Sequence, residues 1–194
     1  KIKNASLSVA VFFTSLQLFG QTNVYDDIIA LSPNHTSLRA AIDAAGLQST
    51  LQNSAATYTV FAPDNDAFDD LANELNTDIN GLLMLNNLSA ILQYHVLNIT
   101  ADAASISNGQ IVQPLNTDNS IKLTKTSMNS VYANHAMVNG ADLTASNGIV
   151  HSIDAVILPN QTVVDIALGS TAHTSLVAAL VQEELLPALT NPFG

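Results

Sequence analysis

Apolar residues recur at helical spacing over residues 36–46, where Leu38, Ile42 and Ala45 fall on one face. Asn34 or Thr36 can cap this helix, and Gly46 can close it. Residues 57–63, TYTVFAP, form a β-rich run ended by Pro63. Asp64 can then cap a short helix carrying Phe68 and Leu71, with Asp66, Asp69 and Asp70 near its positive end. Residues 82–97 are dense in leucine and isoleucine, with Leu85, Leu88 and Leu92 at helical spacing. From residue 111 onward the pattern changes to short β runs at 111–115, 120–124, 130–133, 136–138 and 149–158, separated by Gly, Asn and Asp. Helices first and strands later predict an α+β fold rather than alternating βαβ units.

The last run alternates with period two. Ile149, His151, Ile153, Ala155 and Ile157 share one face, and Ser152 and Asp154 project from the other. His151 therefore sits on an apolar face, where a buried, hydrogen-bonded role is expected. The same alternation argues against HSID as a local Ser-His-Asp constellation, although triads also assemble across a chain.

A repeat sets the domain plan. Residues 27–53 align without gaps on residues 165–191, and 12 of the 27 positions are identical, among them His35 to Leu38 with His173 to Leu176. Chance would give about two. The expected plan is a leader over 1–20, one complete domain over 21–159, and a linker with the opening of a second copy over 160–194. Lys1 and Lys3 followed by the apolar run 7–19 and a small residue, Gly20, read as a secretory signal peptide. The run is too short and too interrupted by Ser8, Thr14, Ser15 and Gln17 for a membrane span, so no membrane insertion is expected once the leader is removed.

Charge narrows the partners. The formal net charge is −11, and loss of Lys1 and Lys3 takes it to −13. Such a chain cannot neutralise a phosphate backbone, which argues against nucleic acid. It has no cysteine, so disulfides, thiol catalysis and cysteine-based zinc sites are excluded. GxSxG, HExxH, P-loop and GxGxxG motifs are absent. The acidic stretch 64–75 lacks the glycine and glutamate of an EF-hand, with Asp69 and Leu75 at those positions. No catalytic residue, cofactor or metal site is read.

Three segments together resemble the fasciclin domain family: TVFAPDNDAF at 59–68, LQYHVL at 92–97, and ASNGIVHSIDAVILP at 145–159. In this sequence the residues that carry the resemblance are Thr59, Phe61, Pro63, Asp64, Phe68, Asn147, Gly148, His151, Asp154 and Pro159. The resemblance implies a wedge-like β-sandwich flanked by helices and an extracellular, secreted or cell-surface location. It also implies adhesion to a cell-surface or matrix component, protein or polysaccharide, by a monomeric module that gains multivalency in tandem. Tyr94 and His95 occupy the segment implicated in adhesion in the family, yet Leu92, Val96 and Leu97 around them are core formers, which favours packing. The alternative function is a secreted small-ligand-binding protein or enzyme whose pocket contains His135 or His151.

Overall fold

The computed structural model describes residues 23–117 and 119–159. The leader expected over 1–20 and the second copy expected from residue 160 lie outside the described residues.

A π-helical segment, Val24–Ile29, is followed by α1 (Thr36–Ala45), α2 (Gln48–Leu51), β1 (Tyr58–Pro63) and α3 (Asn65–Glu74). Then come α4 (Ile79–Leu83), α5 (Leu88–Tyr94), β2 (Val96–Leu97), β3 (Gln110–Val112), β4 (Ile121–Lys125), β5 (Val131–Ala133), β6 (Ala136–Ala145) and β7 (Gly148–Ile153). Local chemistry explains the boundaries. Gly46 closes α1 in the left-handed conformation, at φ 68°. The Asp64 carboxylate accepts from the Ala67 N–H at 2.9 Å and starts α3, and Asp78 does the same for α4 through Gly81. The cap of α1 differs from the expectation. It is supplied by Asn65, whose Oδ1 accepts from the Ser37 N–H and the Thr36 hydroxyl. The apolar run 82–97 is not one helix but α4, a turn, α5 and β2.

The seven strands form one sheet in the order β2-β1-β7-β6-β5-β4-β3. Strand β6 is long and irregular, with register breaks between Val138 and Gly140 and between Gly140 and Leu143. Such bulges bend a strand. The far edges nearly meet, because Leu97 bridges Pro114 and the Leu115 N–H donates to the Val96 carbonyl at 2.7 Å. The sandwich thus consists of one bent, nearly closed sheet.

Strands β1 and β7, second and third in this order, are parallel neighbours, with Phe61 opposite His151 and Pro63 opposite Ile153. Both are buried throughout, because each of their faces meets a separate core. Val60, Ala62 and Val150 pack with Leu38, Ile42, Phe68 and Leu92 of the helices. Phe61 and Ile153 instead pack inside the sheet with Leu97, Ile121, Leu123 and Ala133. The alternation expected for 149–158 is present, but the strand stops at Ile153, and the face carrying Ser152 is covered by helices rather than by solvent.

Candidate functional site

The three sequence segments converge. Strand β1 carries the first, β7 the third, and β2 continues from the Tyr-His segment to pair with β1 through Thr59–Leu97 and Val60–Val96. Most of the singled-out residues meet in this three-strand unit. The Thr59 hydroxyl donates to the Ile99 carbonyl at 2.6 Å and accepts from the Ala101 N–H at 2.9 Å. Asn147, buried, accepts from the Val24 N–H and donates to the Leu51 and Asn53 carbonyls, tying the N-terminal segment and α2 to the start of β7. Gly148 lies directly against Tyr58. Asp154 accepts from the Met137 N–H at 2.7 Å and returns its own N–H to the Met137 carbonyl. Phe68 is buried on α3, and Pro159 is half-buried at the end of the described residues.

Both histidines of these segments are buried and held in opposite tautomers. In His151, Nε2–H donates to the Ala101 carbonyl at 2.8 Å and Nδ1 accepts from the Asp142 N–H at 3.2 Å. Its ring stacks on Phe61, with centroids 5.7 Å apart. In His95, Nδ1–H donates to the Ile91 carbonyl at 2.8 Å and Nε2 accepts from the Ile157 N–H at 3.0 Å. Burial pushes the His95 pKa down to about 4, with a smaller contribution from the charge of His135 and against the pull of the Ile91 carbonyl. Tyr94, also buried, donates its hydroxyl to the Ser120 carbonyl at 2.8 Å and accepts from Asn134 Nδ2 at 3.1 Å.

Among the described residues, His135 and His151 are not brought together, and neither lines the polar cleft of the domain. His135 is exposed at the turn between β5 and β6, while His151 is sealed in the core with both ring nitrogens engaged. The polar concavity lies elsewhere, over the opposite face of β7. It is an open cleft of about 530 Å³ between the start of α1, the start of α3 and the bulged part of β6. Its polar side chains include Ser32, His35, Asp64, Asp66, Asn139 and Ser152. His35 stands just before α1 and is buried to 3 % exposure. Its Nδ1 is 2.7 Å from the Ser32 hydroxyl and its Nε2 3.1 Å from the Ser152 hydroxyl. Burial lowers its pKa, opposed by the Asp64 charge and by the Ala62 carbonyl. The neutral ring therefore fixes two hydroxyls in one line. Asp64 is fixed too, accepting from Asn139 Nδ2 at 2.7 Å besides capping α3. No sequence spacing pointed to this cleft, since His35 and Ser152 lie 117 positions apart. Among the described residues no group of three or more His, Asp or Glu side chains could hold a metal ion, and no helix is long and apolar enough to cross a membrane.

A helical layer over a nearly closed α+β sheet, with its three characteristic segments side by side, defines the fasciclin fold. Residues 33–159 match the fasciclin domain, and the chain belongs to the fasciclin domain family. It is 35% identical over 136 residues to Protein sll1483 of Synechocystis, covering 69% of this chain and 72% of that one. Human Periostin is 28% identical over 163 residues, and pig Transforming growth factor-beta-induced protein ig-h3 is 38% identical over 135. These matches cover 84% and 69% of the chain but only 19% of either relative's length. The FAS1 domain pair of the insect cell adhesion molecule fasciclin I shares the fold, with a TM-score of 0.57 at 17% identity over 68% of this chain and 49% of that one.

Proposed function

We propose that this chain is a secreted or surface-attached, non-catalytic module that holds to a cell-surface or extracellular-matrix component and acts in tandem copies. The observation that carries this reading is the use made of the histidines in the family segments. His95 and His151 each have both ring nitrogens engaged by backbone groups inside the core, which leaves recognition to the surface. Family membership, the structural likeness to a cell adhesion molecule and the repeat of residues 27–53 at 165–191 support it as well.

Beads coated with the 194-residue chain should be retained on intact cells or isolated matrix. A fusion of two such chains should be retained at least about tenfold better at matched module density, because the second binding event becomes intramolecular. Equal retention would remove the tandem argument. Failure of both on every surface tried would overturn the adhesion reading.

Tyr94 and His95 are assigned a packing role within this reading. Tyr94→Phe keeps the ring but deprives the Ser120 carbonyl and Asn134 of their partner. The expected cost is about 1–2 kcal/mol in urea denaturation, with bead retention unchanged under native conditions. Unchanged stability with lost retention would make Tyr94 a direct contact instead.

A further inference from the structure

We propose that the cleft over β7 is a recognition site for an extended, uncharged oligosaccharide. The proposal rests on the adhesion reading, and it supplies the chemical class of the partner and the place where it is held.

The first argument is the shape of the cleft. At about 530 Å³ it falls within the range of ligand-binding pockets, roughly 300–1,000 Å³. A second, shallower hollow of about 310 Å³ shares Ser32 and Leu143 with it and continues past Ile28 and Leu31. The two make one trough, which suits a chain of linked units better than a compact molecule. Its floor is open because residue 140 has no side chain. A Cβ there would stand 3.1 Å from Ser152 Cβ and would narrow the approach to the Ser152 hydroxyl. The register breaks of β6 on both sides of Gly140 bend the strand at this point.

The second argument is the chemistry of the lining. Ser32 and Ser152 present hydroxyls whose orientation the neutral His35 fixes. Asn34 and Asn139 add amides, and Asp64 and Asp66 add carboxylates. Hydroxyls and amides both donate and accept, as sugar hydroxyls do. Leu143, 40 % exposed, and Leu31, 74 % exposed, give an apolar border for the C–H faces of a sugar ring. Among the described residues the trough is lined by no Lys or Arg, and its three carboxylates, Asp27, Asp64 and Asp66, repel an anionic ligand. A purely cationic ligand would use only acceptors. Asp64 is already engaged by the Ala67 N–H and by Asn139, and the donor capacity of the hydroxyls and amides would go unmatched. Among the described residues no Phe, Tyr or Trp lines the cleft, so each module should bind weakly, which agrees with action in tandem.

The test is NMR titration of the 194-residue chain with neutral hexasaccharides of glucose, xylose, mannose and N-acetylglucosamine, with a heparin hexasaccharide and hexalysine as charged comparisons. At least one neutral probe should bind with a Kd of about 1 mM or tighter, moving the amides of Ser32, Gly140 and Ser152. Asp66→Ala, an exposed substitution, and Gly140→Ala should each weaken that binding about tenfold or more, and the heparin probe should leave the cleft amides unmoved. Several results would overturn the proposal: no neutral probe binding, shifts mapping elsewhere, both variants binding as well as the parent, or hexalysine or the heparin probe occupying the cleft more tightly than any neutral sugar. Retention of coated beads separates the two readings. Adhesion without saccharide binding removes the cleft and leaves the adhesion module. Saccharide binding in the cleft without adhesion does the reverse.

Discussion

Gly148→Ala is expected to destabilise the domain by about 3 kcal/mol or more, a loss of about 10 °C in melting temperature. Gly148 opens β7 directly opposite Tyr58 of β1, in the one parallel pairing of the sheet among the described residues. A Cβ at this position would fall 2.1 Å from the Tyr58 carbonyl oxygen and 2.9 Å from its carbon. Backbone atoms in the middle of a two-sided core cannot swing aside as a side chain does. Relief requires β7 to part from β1, which disturbs the cores on both faces together. Gly46→Ala provides the comparison. Gly46 is left-handed at φ 68°, but nothing lies within 4 Å of its Cβ position, so only the conformational cost of about 1–2 kcal/mol applies. Differential scanning calorimetry on both variants separates the two effects. A Gly148→Ala protein no less stable than Gly46→Ala would mean that β1 and β7 do not approach so closely.

Acidification should destabilise the fold before the carboxylates protonate, and His95 should account for about 3 kcal/mol of the loss. The buried ring has its pKa at about 4, against 6.5 in an unfolded chain. Its neutral form donates to Ile91 and accepts from Ile157, so a second proton would break the latter bond. The contribution is therefore fully present above pH 6.5. It is lost as the pH falls from 6.5 to about 4, where the unfolded chain takes up a proton that the folded chain refuses, and it changes little below that. His35, whose pKa burial also lowers, adds a change of the same sign. Relief of the overall negative charge as the pH approaches the pI of about 4.4 works in the opposite direction. Denaturation curves should therefore be compared with those of His95→Gln, which removes this titration, each curve taken relative to its own stability at pH 7. The parent should lose about 3 kcal/mol more than the variant between pH 7 and pH 4. Parallel pH profiles would mean that His95 accepts a proton in the fold as readily as in the open chain.

What could be read from the sequence follows the range of the interactions. Pro63 ending a strand, Asp64 capping the next helix and Gly46 closing α1 are decided within four residues, and all three are present. The three family segments were also legible, but not their adjacency, since β1 finds its partners at residues 96–97 and 148–153. Long-range polar contacts left no local signal. The cap of α1 comes from Asn65, and the Ser32–His35–Ser152 line joins residues from opposite ends of the domain. The sequence predicts only 136–138 for β6, because Asn139, Gly140 and Asp142 suggest a loop. They lie in a bulged and largely exposed strand whose partner, β7, pulls it into the sheet. The break of the run 82–97 into α4, α5 and β2 was hidden by its uniform leucine content, which satisfies helical spacing and burial equally well.

The strand order also governs when the molecule can come into being. Strand β1 is finished early in synthesis, yet its parallel neighbour emerges about 90 residues later, after every other strand of the sheet. At translation speeds of about 5–20 residues per second, β1 waits for several seconds with one whole edge unpaired. Such non-local pairing folds slowly. The delay leaves the unpaired edge of β1 open to the β7 of any second copy held nearby, so crowding the unfolded chain should favour dimers joined by strand exchange.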